Sequence, residues 1–381
     1  MAFIRSLQLS HFRCYDSVRL EGLSAGLVVL TGPNGAGKTN VLEAVSLLSP
    51  GRGLRGAKIS EMQQRETGQP WALAAEAETP YGLVRLGTGL DTGSLTEKRI
   101  VRINGETAKT QTALAEYLAC VWLTPQMDRL FLDGSSARRK FLDRLIFAFD
   151  PGHAGRVTRY ENAMSQRSKI LRDSEYPDPV WLDGLETQMA ETGVAIAAAR
   201  QDFIVLLQQA CDQAADEALF PRALLALRGT IEELLQQAPA LEVEDMFRYQ
   251  LRDSRKVDAR SGGAATGPHK GDLLVVYAAK SMPADQCSTG EQKALLIGIT
   301  LAHSRLMAAE RGAPPILLLD EVAAHLDEGR RAALYGILQG LGGQVWMTGT
   351  DAHLFAAVGS QGRFFHVEKS HLLLCDKPVA A

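Results

Sequence analysis

The chain has no paired cysteine motif. Its five cysteines, Cys14, Cys120, Cys211, Cys287 and Cys375, are scattered, and none stands in a CxxC pair. That pattern excludes a disulfide-stapled scaffold and is the expected pattern of reduced thiols in the cytosol. There is no excess of one charge either: 41 basic and 44 acidic residues leave a net charge of −3. A protein that coats nucleic acid over its whole surface would be far more basic, so any such contact falls to a local patch. No apolar run approaches the roughly 18 residues that span a bilayer. The opening, MAFIRSLQLSHFR, lacks the apolar core of a secretory signal. Internal repeats, low-complexity tails and long continuous heptads are also missing. What remains is the expectation of a cytoplasmic globular protein, with ordinary hydrophobic (46%) and charged (22%) fractions. At 381 residues it has room for two domains, or for one domain with a large insertion.

Within that frame, Ile4–Leu9 alternates like a strand, and Leu27–Thr31 (LVVLT) is a continuous apolar run, as in a strand buried on both faces. Asn40–Leu48 carries apolar residues at helical spacing. Residues 72–104 hold short β-like runs split by turn residues and predict an antiparallel platform. From about Ser135 to Leu241 the chain is rich in Ala, Gln and Leu, and Val194–Leu219 reads as one long helix. A break falls at Tyr176–Pro179, and Ser261–Pro268 (SGGAATGP) reads as a flexible loop. Thr289–Ala309 predicts a helix, Ile316–Leu319 a buried strand, Arg330–Leu341 a helix and Val345–Thr348 a strand.

Four motifs carry chemistry. Gly32–Thr39 reads GPNGAGKT. The pattern GxxxxGK[ST] arises by chance in about one chain in a hundred of this size. Gly32, Gly35 and Gly37, with Asn34, Ala36 and Asn40 around them, let backbone N–H groups wrap phosphates. Lys38 reaches the β- and γ-phosphates of ATP, and Thr39 ligates Mg²⁺. Ile316–Glu321 (ILLLDE) ends an apolar strand in two carboxylates, Asp320 to hold Mg²⁺ and Glu321 to orient or deprotonate a water. Ser288–Gln292 (STGEQ) places Ser288 three residues before Glu291, a capping box that opens a helix; Gly290 lets its backbone approach an anion. Ala324–Asp327 (AHLD) reads both as an interface loop and as a helix N-cap at Asp327.

Together these residues resemble ATP-binding-cassette heads of the SMC-like repair type, and within them the RecF family. The opening LQLSHFRCYD, the stretch GPNGAGKTNVLEAVSLLSPGRGLRG, LLLDEVAAHLDEGRRAAL, TPQMDRLFLDGSSARRKFLDRL and TGPHKGDL all fit RecF patterns. Departures occur at Gln126, at Asp133–Ser135 and at Lys270–Asp272. The resemblance implies an α/β fold: a P-loop ABC/SMC-like ATPase head with a β platform and an inserted α-helical arm. Residues 1–133 and 285–381 would form the head, and 134–284 the arm. It implies ATP and Mg²⁺ as cofactors, with Gln126 sensing the metal and the water. It further implies a homodimer closed by ATP, each nucleotide lying between one P-loop and the partner copy's signature segment, Ser288–Gly290 followed by Glu291. It implies binding to duplex or gapped DNA, help in loading the RecA recombinase with RecR and RecO, and a place in DNA damage repair, the SOS response and fork restart in the nucleoid. Candidate DNA contacts are Arg52, Arg55 and Lys58, and Arg138, Arg139 and Lys140, with ion pairing or bracing as the alternative. Arg13 in HFRCY is a candidate ATP contact. Where transporter heads carry a switch histidine, this chain reads MTGTD, so Thr348 or Thr350 would stand in, and hydrolysis is expected to be slow.

Three other readings are weaker. A transporter ATPase subunit is disfavoured by the long stretch between Lys38 and Asp320 and by the missing histidine. A long-coil SMC protein would need a far longer insertion. A P-loop metabolite kinase or NTPase would need neither STGEQ nor AHLD, and would not dimerise because ATP is present.

Overall fold

The computed structural model describes residues 2–64, 68–93, 97–174, 177–214 and 219–375. The chain packs as two units, residues 1–127 with 304–381, and residues 128–303.

The first unit holds two six-stranded sheets. In one, the buried strand Gly26–Thr31 lies between parallel neighbours Gln344–Gly349 and Arg363–Glu368. Ile316–Leu319 pairs in parallel with Gln344–Gly349, and Cys120–Leu123 with Ile316–Leu319. His371–Cys375 closes one edge antiparallel to Arg363–Glu368. The strands that read as continuous apolar runs are the ones covered on both faces, as parallel sheets require. Each fully buried Val or Leu there contributes about 1.5–3 kcal/mol. The register sets the strand ends level: Leu319 stands opposite Met347 and Leu123, and Gly349 opposite Thr31. With His366 also opposite Thr31, the carboxyl ends of the five parallel strands share one edge, where ligands bind in open α/β sheets.

The second sheet is the antiparallel platform. It runs Tyr15–Leu20, Phe3–Phe12, Ala72–Thr79, Gly82–Leu90, Arg99–Ile103 and Glu106–Thr107. Gln344, fully buried, joins the two sheets: its side-chain oxygen accepts from the Ile4 N–H at 3.0 Å, and its amide donates to the Ile4 carbonyl at 2.9 Å.

The second unit is mainly helical, with Ser135–Phe149, Gly152–Asp173, Pro179–Ala214, Thr230–Leu235, Ala240–Asp253 and Arg255–Ser261. The long helix starts well before its apolar pattern predicts, at Pro179 instead of Val194. The expected break lies between Asp173 and Pro179, with Tyr176 outside the described residues. Ala223–Arg228, read as part of the helical region, is a strand. It comes after Pro221 and pairs with Asp272–Tyr277 from Ala223↔Tyr277 to Arg228↔Asp272, so cross-strand pairing overrides its Leu/Ala helix propensity. The segment read as a flexible loop is pinned: Ala264 is buried, its carbonyl is 2.9 Å from His269 Nε2, and the Ala265 N–H donates to Asp258. Arg167, fully buried, holds this unit together through Glu186 at 2.8 Å, Asp258 at 2.7 Å and the Leu251 carbonyl.

The packing boundaries differ from those drawn on the sequence. The helix Thr289–Arg311 belongs to the second unit up to His303, because Lys293 pairs with Asp128 and His303 bonds the Leu145 carbonyl. The signature segment therefore packs with the second unit. No helix among the described residues is long and apolar enough to cross a membrane.

Candidate functional site

The loop after Gly26–Thr31 takes a path open only to glycine at two points. A Cβ on Gly32 (φ 139°) would lie 2.1 Å from the Val367 carbonyl oxygen. One on Gly37 (φ 114°) would lie 2.6 Å from the Tyr15 hydroxyl and 2.8 Å from Cys14 Sγ. Gly37 caps the helix Lys38–Ser46, whose free N–H groups and dipole favour an anion. Lys38 is buried, and its ammonium bends back to the carbonyls of Gly32 (2.6 Å) and Pro33 (2.8 Å). Burial lowers its pKa, against Glu321 and Asp320, which raise it. Asn34 and Gly35 face solvent, and Ala36 is buried beneath them.

The two expected metal ligands meet across the sheet edge. The Thr39 hydroxyl donates to Asp320 Oδ1 at 2.9 Å, although 281 positions separate them. Asp320 is held from below by its own N–H on the Leu123 carbonyl (2.9 Å). A buried carboxylate beside a hydroxyl is the hard oxygen pair that Mg²⁺ takes while keeping several waters. With the ammonium of Lys38 and the open N–H groups of the loop, the residues present fit a magnesium nucleoside triphosphate. Glu321 comes next, in a left-handed backbone conformation (φ 54°, ψ 22°). Thr348 is fully engaged with this pair: it donates to Asp320 Oδ1 at 2.7 Å and accepts the Glu321 N–H at 2.9 Å. It is therefore not free to hold a γ-phosphate, as its place in the sequence suggested, whereas Thr350 is exposed. Gln126 is exposed three residues beyond Leu123, on the same edge as Asp320.

Beside the loop opens a cavity of about 760 Å³ lined by Arg13, Cys14, Asn40, Arg55, Gln63 and His371, among others. Its charge is organised by Glu43, a fully buried carboxylate that no sequence motif singles out. Arg13 donates to both its oxygens, at 2.8 and 2.6 Å, and Arg55 donates to Oε2 at 2.8 Å and to Asn40 Oδ1 at 2.7 Å. The one signal in the sequence is a single carboxylate inside the apolar run NVLEAVSLL. Arg13 thus reaches the cavity already paired, and Arg55 is an intramolecular partner, which weakens its claim on DNA. Arg52 and Lys58 are exposed.

In the second unit, Ser288 and Glu291 form the capping box. The Ser288 N–H and hydroxyl donate to Glu291 at 2.9 and 2.8 Å, and the Glu291 N–H points back to the Ser288 hydroxyl at 3.4 Å. Lys280 first, then Ser288, hold the Glu291 carboxyl down at about 2. Ser288, Thr289 and Gly290 are exposed, and the space above Gly290 is open. In the first unit Asp327 caps Glu328–Gly340, its side chain accepting the Arg330 N–H at 2.8 Å. Arg138 and Arg139 act as braces. Arg138 grips both oxygens of Asp272 at 2.8 and 2.9 Å, and Arg139 donates to the Gly271 carbonyl at 2.6 Å. Lys140 is exposed. No cluster of three or more His, Cys, Asp or Glu suited to a metal occurs among the described residues.

A P-loop, a metal-type carboxylate ending the second strand along and a split α/β unit define an ATPase head of the SMC-like class. Residues 3–371 match the family described as RecF/RecN/SMC N terminal domain. The chain is 49% identical to the DNA replication and repair protein RecF of Mesorhizobium japonicum, over 96% of both chains. It is 48% identical to that of Agrobacterium fabrum, over 95% of this chain and 96% of the other. It belongs to the RecF family of DNA replication and repair proteins. The fold agrees: a structure of the recombination mediator protein RecF with ATPrS superposes with a TM-score of 0.86 at 21% identity over 98% of both chains. The Smc head of Pyrococcus furiosus superposes more loosely, at 0.56 and 14% identity, over 98% of this chain and 96% of that one.

Proposed function

We propose that this chain is an ATP-switched DNA-binding protein. It binds ATP with Mg²⁺, closes into a homodimer around the nucleotide, and in that state holds duplex or gapped DNA. The observation that carries this reading is the 2.9 Å approach of Thr39 to Asp320 at the mouth of the P-loop, in a chain that belongs to the RecF family over nearly its whole length. Lys38 and the loop N–H groups would hold the phosphates, and Thr39 and Asp320 the metal. Bound Mg²⁺ supplies Lewis acidity at the terminal phosphates. Glu321 would orient or deprotonate the attacking water, and Gln126 stands where it could sense metal and water. The exposed, capped helix start at Ser288–Gly290 offers N–H groups to the nucleotide of a second copy. Exposed Arg52, Lys58 and Lys140 are the DNA contacts this reading favours. Slow hydrolysis would dissolve the dimer. Solved RecF proteins are described as recombination mediators of the RecFOR pathway. By kinship this chain would act with RecR and RecO to load RecA.

Sedimentation of the wild type and of Lys38→Met, with and without ATP–Mg²⁺ and short duplex DNA, tests the reading. ATP should convert wild-type monomer to dimer, DNA should join only the dimer, and the variant should stay monomeric. If ATP changes neither mass nor DNA binding, the P-loop serves a metabolite NTPase chemistry instead.

A further inference from the structure

The strand Gln344–Gly349 runs between the P-loop strand and Ile316–Leu319, and Thr348 sits one residue from its end. The residue is 1% exposed, so its hydrogen bonds do not compete with bulk water. A hydroxyl has a single proton. The Glu321 amide can only donate, so the Thr348 oxygen accepts there, at 2.9 Å. The one hydroxyl proton then goes to Asp320 Oδ1, at 2.7 Å. The chain amide, hydroxyl, carboxylate is thus fixed in direction. It ends on a charged acceptor, which strengthens its last bond. It also explains a backbone oddity. Glu321 adopts the left-handed region, unfavourable for any residue with a Cβ, and its N–H is tethered there by Thr348.

We propose that Thr348 is the positioning residue of the hydrolytic site. One buried hydroxyl sets Asp320 and Glu321 in register, orienting the metal carboxylate and holding Glu321 in a conformation it would otherwise leave. Thr348 thereby replaces the switch histidine of transporter heads in position but not in role: it acts through the two carboxylate residues, without touching phosphate. The inference rests on the roles proposed above for Asp320 and Glu321.

The test is Thr348→Val, which keeps shape and removes the hydroxyl, beside Thr348→Ser, which restores it. Hydrogen exchange at the Glu321 amide in nucleotide-free protein reads the tether directly. It should quicken about tenfold or more in Thr348→Val and return toward wild type in Thr348→Ser. Affinity for a fluorescent ATP analogue without Mg²⁺ should stay within about twofold, because Lys38 and the loop are untouched. The kcat of hydrolysis should fall about tenfold or more, with a higher Mg²⁺ half-saturation, and the serine variant should recover most of both. Unchanged exchange at Glu321, or a valine variant with wild-type kcat and Mg²⁺ dependence, overturns the proposal. So does a loss that serine fails to rescue, since that marks packing alone. If wild type and Lys38→Met alike fail to bind nucleotide, the ATPase reading falls, while the exchange experiment still decides whether the tether exists.

Discussion

Neutralising Glu43 should loosen the rim of the P-loop cavity without touching the P-loop itself. Glu43 is fully buried on the helix Lys38–Ser46 and accepts three hydrogen bonds from two guanidinium groups, at 2.6–2.8 Å. Glu43→Gln keeps the volume and one acceptor but leaves two cations facing no counter-charge. Removing one partner from a buried ion pair costs about 3–5 kcal/mol. The side chains of Arg13 and Arg55 are 18% and 34% exposed, so water recovers part of that. The expected loss is therefore about 2 kcal/mol. For a unit of this size that lowers the melting temperature by about 4–8 °C. Calorimetry of nucleotide-free protein measures it. A double-mutant cycle with Arg55→Gln isolates the shared bond, with an expected coupling of about 1 kcal/mol. A Glu43→Gln melting temperature within about 1 °C of wild type, or strict additivity in the cycle, would refute the reasoning.

The same geometry sets further outcomes. Arg138→Ala should destabilise the second unit by about 2–4 kcal/mol in urea titrations, because Asp272 is left nearly buried and poorly paired. Arg52→Ala and Lys58→Ala should move stability by less than about 0.5 kcal/mol, yet each should reduce the salt slope of DNA binding by about 1; equal effects from all three would contradict the division into braces and contacts. His303 sets a pH dependence: burial first, with Arg144 adding to it and the bond to the Leu145 carbonyl opposing it, depresses its pKa to about 3. The unfolded chain therefore binds a proton below about 6.5 that the folded chain refuses, so stability falls with pH, by about 1 kcal/mol between pH 7 and 5.5. His303→Gln should remove that part of the slope in denaturation series at the two pH values, and an unchanged slope would refute it.

How far the sequence could be read depended on where each residue's partner lies. The P-loop, its strand and its helix are contiguous, so periodicity and glycine spacing sufficed. The capping box of Ser288 and Glu291 is also local, three residues apart, and its hydrogen bonds match the pattern. Ala223–Arg228 was illegible because its strand character comes from Asp272–Tyr277, far along the chain, while its own Leu and Ala favour helix. Ala264 looks like a loop residue in SGGAATGP, yet burial and His269 fix it. The limits at 128 and 303 were hidden for the same reason: Lys293 and His303 find their partners at Asp128 and Leu145, not nearby.

The cations show why this matters for function. Arg52, Arg55, Lys58, Arg138, Arg139 and Lys140 are alike in sequence: basic residues near glycines or helix starts. Coulomb attraction to a phosphate backbone needs a charge that faces water and is not already neutralised. Arg55 shares the buried Glu43 and Arg138 the nearly buried Asp272, and neither partner can turn to solvent to release it. Arg139 is committed to a backbone carbonyl inside its own unit. In a chain of net charge −3, the proposed DNA contact falls to the cations left uncommitted within each unit. Arg52 and Lys58 in the first unit, and Lys140 in the second, are exposed and so remain available to that proposed contact. Arg55 and Arg138 instead commit their charge to Glu43 and Asp272, each within its own unit.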